Sequence, residues 1–517
     1  MFNIKTAFLG LSAVSMLTLP AGAFASASTE PTRSELAGPE HAMPQSSDPW
    51  FTAAQKRLSQ IKSARPEART AKNVILFVGD GMSIATITSG GILEGQSKGG
   101  PGEGNLLSFE TMPYAGLIKT YTTDFQTPDS AGTATAMVTG IKTKSLIISM
   151  DDTVEAGVCG SGNAAMTIME LAEEAGLSTG IVTSTRLTHA TPATNFAHSP
   201  SRQWETDGQV KAGANGEVCA DIASQLIDTP FGDGPEVALG GGRSQFMPNT
   251  ENDPEDEARK GYRKDGRNLT TEWTLSRPKA AYVWNKSDFD KINVANTSRL
   301  LGLFQPSHMQ FDLDRPDDKG GEPSLSEMTS KAIDLLEQND EGFYLMVEGG
   351  RIDHAHHGTN AARALTDTVA FSDAIRTALE KTNPEETLII VTSDHAHTIS
   401  ISGYANRGNP ILGKVRSGEN ESKGSDGMPY TTLSYANGGS AKREGPRADL
   451  TEVDTTHKDF RQPSLVPMMS ETHSGEDVAI YASGPGAQWV SGVYEQNYIF
   501  HVMEEATQLR KKAANAK

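Results

Sequence analysis

The chain has 517 residues and a formal net charge of −19, with 65 acidic side chains against 46 basic ones. A chain of this length can bury a large core. An acidic chain with no basic stripe excludes a nucleic-acid-binding module unless bound metal reverses the local field, and beyond the N-terminus no segment is apolar enough to span a bilayer as a helix.

The first residues read as an export signal. Lys5 supplies the positive start, Ala7 to Leu19 the apolar stretch, and Ala23-Phe24-Ala25 a small-x-small cleavage pattern, so residues 1–25 are expected to be removed. A periplasmic or secreted protein without a membrane anchor follows. Residues 26–70 form a linker and a helix: Ser26 to Ser47 is rich in Ser, Pro and Ala, and Asp48-Pro49 then opens an amphipathic helix towards Lys62. In an oxidising compartment the only two cysteines, Cys159 and Cys219, are expected to pair. Closing so long a loop is worth roughly 4 kcal/mol in the chain-entropy model; two buried free thiols are the alternative.

Val74 to Val78 is a short continuous apolar run followed by Gly79-Asp80-Gly81. Further on, Asp129-Ser130-Ala131-Gly132-Thr133-Ala134 puts a serine where a helix of small residues begins. A helix N-terminus presents free amides and a positive dipole end that suit a phosphoryl oxygen anion; on this segment alone a plain capping serine fits equally well. Asn163 to Gly176 reads as a helix capped by Asn163 and stopped by glycine, and Asn249 to Arg267, dense in charge of both signs, as a surface insertion. Ser324 with Glu327 forms a capping-box pattern before an amphipathic run to about Gln338.

A second apolar run, Phe343 to Val347, ends in Glu348, a glycine pair, Asp353, His354 and His357. Asn360 to Lys381 is the next helix, and a third run, Leu388 to Val391, ends in Asp394, His395 and His397. From Gly403 to Met469 the chain is glycine-rich and polar, with short β-like pieces such as Tyr430 to Tyr435, before His473. Apolar runs bounded by glycine are buried parallel strands, and ligands of open α/β sheets bind at the strands' carboxyl ends. Three strands that each deliver an acid at that end predict one shared metal centre. One such acid alone would be only a turn residue or cap.

The fold class is therefore α/β: a doubly wound, mostly parallel central sheet flanked by helices, formed by residues 71–402 and 470–517, with residues 403–469 as a small β/loop insertion. A serine hydroxyl needs a base or a metal to ionise it. No Ser-His-Asp arrangement is evident, so metal-activated serine is the economical chemistry.

Asp80-Gly-Met, Pro128-Asp-Ser-Ala-Gly-Thr-Ala, His189-Ala-Thr-Pro, Val347-Glu-Gly-Gly-Arg-Ile-Asp-His, Ser393-Asp-His and Glu471-Thr-His-Ser-Gly-Glu-Asp resemble, in order, the motifs of the alkaline phosphatase family. The resemblance runs from about Asn73 to Met503. It implies a phosphomonoesterase of broad specificity in which Ser130 becomes transiently phosphorylated and Arg202 grips two phosphate oxygens as a bidentate fork. It implies two zinc ions, one held by Asp353, His357 and His473, the other by Asp80, Asp394 and His395 together with Ser130. It implies one magnesium held by Asp80, Thr191 and Glu348, with His189 beside it where the enteric bacterial form has aspartate and the animal forms histidine. Asp129, His354 and His397 would orient ligands or phosphate. The 403–469 insertion resembles the animal enzymes' crown domain. Glu255, Phe304, Gln305 and Glu322 match their calcium site, although Gln305 stands where that site has glutamate. A homodimer is the family's usual state. A phosphodiesterase of the wider superfamily and a zinc-storage protein are the competing readings; the second would need neither Ser130 nor Arg202.

Overall fold

Ten strands make one sheet in the computed structural model, which describes residues 70–211 and 219–516. The expected export signal and the Asp48 to Lys62 helix lie outside the described residues. In chain order the strands are β1 (Asn73–Gly79), β2 (Tyr114–Lys119), β3 (Ser178–Arg186), β4 (Val237–Gly241), β5 (Ala280–Val283), β6 (Arg299–Leu303), β7 (Phe343–Gly349), β8 (Thr387–Thr392), β9 (Val478–Ser483) and β10 (Val493–Glu495). They lie side by side as β10-β2-β9-β8-β1-β7-β3-β4-β6-β5. Only β9 runs against its neighbours, antiparallel to both β8 and β2.

The continuous apolar runs have a simple cause. Successive side chains of a strand point to opposite faces, and both faces are covered here. Val74, Leu76 and Val78 of β1 pack with Tyr344 and Met346 of β7 into one core, closed by Ala131, Ala134 and Met137 of the Ser130–Thr139 helix and by Ile168 and Met169. Ile75 and Phe77 pack with Leu345 and Val347 into the other, closed by Phe371 and Ile375 of the Ala361–Lys381 helix and by Met328 and Ile333 of the Leu325–Leu336 helix. The doubly wound α/β architecture read from the sequence is the one observed.

Register then decides where the acids fall. Val78 pairs with Glu348 on one side and Thr392 on the other, and Thr183 of β3 also pairs with Glu348. The three central strands therefore end level, and Asp80, Glu348 and Asp394 emerge at one edge. Backbone-to-side-chain bonds fasten the ends: the Gly81 amide donates to Asp394 Oδ1 (3.0 Å) and the Met82 amide to Ser393 Oγ (2.8 Å). Gly81 sits at φ +67°, and a Cβ there would lie 2.3 Å from the His397 ring, so this turn requires glycine.

Asn360 caps the Ala361–Lys381 helix, and Ser324 and Glu327 close a capping box on Leu325–Leu336. Two expected boundaries shift. The helix expected to start at Asn163 starts at Ile168, because Thr167 and Glu170 form the capping box, while the Asn163 amide group donates to Asp151. The strand expected over Tyr430 to Tyr435 is Leu433–Gly438, set by its partners Ile399–Ile401 and Ser464–Pro467. Cys159 and Cys219 form a disulfide. The 249–267 segment is mostly exposed, as expected, but it is anchored from within: Arg263 is fully buried and paired with Asp221 and Asp265, and Asp253 is paired with the fully buried Arg243.

Phe371 ties the core to the site. Its ring packs edge-on to Phe77 at 5.9 Å and lies against Gly349, at the end of β7. Phe371→Ala should cost about 3–5 kcal/mol, read as a lower denaturant midpoint; an unchanged midpoint would show that this ring does not carry the contact between the two layers.

Candidate metal centre

Past the strand ends, a short helix of about two turns, Arg351–His357, carries Asp353 and His357 one helical turn apart, hence on one face. His473 arrives from another part of the chain because His473 and Ser474 pair antiparallel with Ala396 and His397. Each histidine is fixed by a carbonyl: His357 Nδ1 donates to the Glu471 carbonyl (2.6 Å) and His473 Nδ1 to the Pro128 carbonyl (2.8 Å). Both Nε2 lone pairs are thereby left facing inward, the arrangement metal-binding imidazoles use. They lie 3.1 Å apart, and each is 3.3 Å from Asp353 Oδ1. Ligand atoms of a tetrahedral zinc site with bonds near 2.0–2.1 Å stand about 3.3 Å from one another.

A second convergence repeats the spacing. His395 Nε2 is 3.3 Å from Asp80 Oδ1, 3.4 Å from Asp394 Oδ2 and 3.1 Å from Ser130 Oγ. Both oxygens of Asp80 and Oδ2 of Asp394 are buried with no hydrogen-bond donor. A third group, Asp80, His189 and Glu348, adjoins it; Glu348 accepts from Thr183 and Thr185 and has the buried Thr191 hydroxyl turned towards it. Asp80, Glu348, Asp353 and Asp394 are thus packed together at the sheet edge almost without contact with water. Burying carboxylates without compensating charge is costly. Burial, then Asp394, Asp353 and Glu348, raises the Asp80 carboxyl well above the usual range, and burial pushes Glu348 up to about 7. Asp353 moves the other way: burial opposes ionisation, but His357, His397 and His473 outweigh it. Divalent cations fit this donor set, with nitrogen and carboxylate at the first two groups and mainly oxygen at the third.

Ser130 is the first residue of the Ser130–Thr139 helix, and Asp129, not the serine, is its cap, accepting from the Gly132 amide. The hydroxyl is therefore free of capping duty and faces His395. This is not a charge-relay triad: His395 Nδ1 is buried without a partner, and burial holds the ring neutral. Asp129 Oδ2 also accepts from Arg202 Nη1 (3.0 Å), while Arg202 Nη2 donates to His189 Nε2 (3.0 Å), which makes His189 a neutral acceptor. Cap, nucleophile candidate and guanidinium form one unit.

The sequence reading missed Glu471. Its fully buried carboxylate accepts from His397 Nδ1 (2.5 Å) and from the amide and hydroxyl of Thr398, while its carbonyl holds His357. His397 Nε2 donates to Asp353 (2.7 Å); burial opposes its protonation, yet Asp353 and Glu471 together push it up to about 10. Only the position of Glu471, two residues before a ligand histidine, hinted at this. His308 was also missed: its ring lies 4.2 Å from His354 and 5.3 Å from His189, and His354 is turned to Arg351. The suggested fourth ion site is brought together in part. Gln305 donates to Asp318 Oδ1 (2.5 Å) and also reaches Glu322, which burial and then Asp318 raise to about 8. Glu255 lines the same 570 Å³ hollow but is already paired with Arg243. Asp318, the acid facing Gln305, was not foreseen.

Such a centre belongs to a metal-dependent hydrolase built on a doubly wound sheet. A family model described as alkaline phosphatase matches residues 71–509. Among curated relatives, the tissue-nonspecific alkaline phosphatase isozyme of Gallus gallus is 41% identical over 467 residues, with 88% of each chain covered. The Homo sapiens isozyme is 40% identical with the same coverage. Among solved structures, Thermus thermophilus alkaline phosphatase aligns with a TM-score of 0.62 at 25% identity, covering 88% of this chain and 97% of that one. A histidine-to-aspartate variant of TAB5 alkaline phosphatase with magnesium in its M3 site aligns with a TM-score of 0.58 at 25% identity, covering 85% and 99%. The chain belongs to the alkaline phosphatase family. It is a metal-dependent phosphoric monoester hydrolase, and no helix among its described residues is long and apolar enough to cross a membrane.

Stripping the metals should lower the melting temperature, because cations bind the folded cluster and not the unfolded chain. The stripped protein should also lose stability as pH rises. Glu348, raised from 4.5 to about 7, is neutral in both states below its unfolded pKa, so that contribution is fully present there and is lost as pH climbs through the folded value. Melting scans of chelated protein at pH 5 and pH 7.5 test this, and a higher melting temperature at pH 7.5 would contradict it. Glu471→Gln should weaken retention of the metal by about 10–100-fold, measured by competition with a chelator.

Proposed function

We propose that Ser130 is the nucleophile, that the ester is cleaved through a phosphoserine at Ser130, and that Arg202 grips the transferred phosphoryl group. The observation that carries this reading is the position of Ser130 Oγ. It stands at a helix N-terminus, released from capping by Asp129, and 3.1 Å from an atom of the second ligand group. Free amides and the dipole end there favour phosphoryl oxygens. Asp129 orients the Arg202 fork from behind, leaving the guanidinium to neutralise charge as the phosphoryl group passes from alcohol to serine. Water then breaks the Ser130–phosphate bond and returns the hydroxyl.

Asp353, His357 and His473 would hold one zinc; Asp80, Asp394 and His395 would hold a second; and Asp80, Thr191 and Glu348 would hold magnesium, with His189 beside them. Bound there, these ions supply Lewis acidity for ionising the serine and the water and for stabilising the departing alkoxide. Matching of ligand spacing to the tetrahedral value supports zinc at the first two groups. His397 and Glu471 fix the orientation of Asp353 and His357, and His354 buttresses the His189 side.

A fourth ion, calcium, is the reading for Glu255, Phe304, Gln305 and Glu322, with Asp318 added. The Gln305 amide already bonds to Asp318, and a neutral ligand lowers affinity, so the site should fill only at millimolar calcium. The N-terminal pattern around Lys5 and Ala23-Phe24-Ala25 supports a mature protein outside the cytoplasm. Family precedent supports a homodimer, and a crown-like role for residues 403–469.

Acid quenching during turnover with radiolabelled ester should trap phosphate on the wild-type protein and none on Ser130→Ala. Equal labelling of both would remove Ser130 from this role. Arg202→Lys keeps the charge but loses the fork, so inhibition by inorganic phosphate should weaken around tenfold, about 1.4 kcal/mol. His189→Asp adds a negative charge beside the magnesium group and should tighten magnesium; coincident magnesium titrations for the two proteins would refute that. Elemental analysis should return about two zinc and one magnesium per chain. Calcium should raise the melting temperature of Gln305→Glu more than that of the wild type; no shift in either excludes the site.

A further inference from the structure

A groove of about 1020 Å³ opens directly beside the first ligand group. It is lined by His357 and His473, by Thr127 and Pro128, by Arg443, and by an exposed lip of Met468 and Met469. The lip is unusual. The edge strand Ser464–Pro467 and the two residues after it leave Leu465, Val466, Met468 and Met469 at 81%, 50%, 43% and 96% exposure. Isolated apolar residues on a surface need no explanation, whereas exposed apolar side chains that line a groove, as Met468 and Met469 do, mark a binding site.

In-line displacement places the attacking and leaving oxygens on opposite sides of phosphorus. Ser130 Oγ lies with the second ligand group, 3.1 Å from His395 Nε2. The leaving oxygen must therefore point towards the first group, whose His357 and His473 face the groove. We propose that this groove seats the leaving group of the ester and that the Met468–Met469 lip makes the enzyme prefer leaving groups bearing an extended apolar chain or ring over small polar alcohols. Thioether side chains are flexible and polarisable and adapt to apolar surfaces of differing shape, so the preference is for apolar area, not for one molecule. The inference rests on the reading of Ser130 as nucleophile.

A series of n-alkyl phosphates from ethyl to octyl tests it on the metal-loaded full chain, since leaving-group basicity stays constant while apolar length grows. In the wild type kcat/KM should rise about tenfold across the series, while kcat stays level because hydrolysis of the shared phosphoserine follows departure of the alcohol. The double variant Met468→Ser/Met469→Ser should flatten the rise, whereas Leu275→Ser, an exposed apolar residue on a separate helix, should not. Calorimetry with octylphosphonate and methylphosphonate, which are not hydrolysed, should show the same loss of about tenfold in the ratio of the two affinities. A flat wild-type series, or a slope that survives the double substitution, overturns the proposal. A flat series accompanied by dissociation of an oligomer in the double variant would assign the strip to a subunit contact and overturn it equally. If acid quenching traps no phosphate on the wild type, the nucleophile reading fails instead, independently of the slope.

Discussion

Asp80, Glu348, Asp353 and Asp394 cannot share one dry corner of a protein on their own. At effective interior dielectrics, close carboxylates repel by several kcal/mol, and the hydrogen bonds available from the protein reach neither oxygen of Asp80. Every other feature of the site answers that constraint. His357 and His473 are pinned through Nδ1 so that their Nε2 atoms point at Asp353, His397 is held as a cation between Asp353 and Glu471, and Arg202 is drawn in by Asp129. The acids create a demand for positive charge, which divalent ions meet with enough excess to receive an anionic phosphate ester as well.

The sheet is what makes this arrangement reproducible. Three parallel strands in level register deliver acids from distant parts of the chain to one line, and the helices that follow supply neighbours without bending the strands. The Ser130–Thr139 helix covers one face of the sheet and the Arg351–His357 helix continues from β7 towards the other core, where Ile352 packs. Ser130 and the first ligand group thus approach the centre from opposite layers.

How much of this was legible depended on range. The ends of β1, β7 and β8 were readable because apolar runs followed by Gly and Asp or Glu report both burial and chain direction locally. The cap at Asn360 and the box at Ser324 were equally local. Asn163 misled because Asn is a good cap anywhere, and only the reciprocal bond between Thr167 and Glu170 decides between the candidates. Arg202, His189 and the ligand sets came from motif resemblance and not from composition. Glu471 and His308 stayed hidden because their importance lies in partners remote in sequence, His397 and His354, and Asp318 because no spacing rule connects it to Gln305, 13 residues earlier. The reversed strand β9 was likewise invisible, since direction within a sheet is set by topology and leaves no mark on the strand's own residues.

His473 takes its orientation from the carbonyl of Pro128, 345 residues earlier, and Gly81 is tied to Asp394 across 313. Such contacts make the centre a product of late, long-range closure, the regime in which folding is slow and intermediates are populated. A nascent chain that has already built β1, β7 and β8 still lacks part of the candidate metal cluster until residue 473 has been synthesised and has paired with residue 397. A C-terminal truncation short of His473 would also remove β9 and β10, leaving β2 without its neighbours in the sheet and the acidic mouth unclosed.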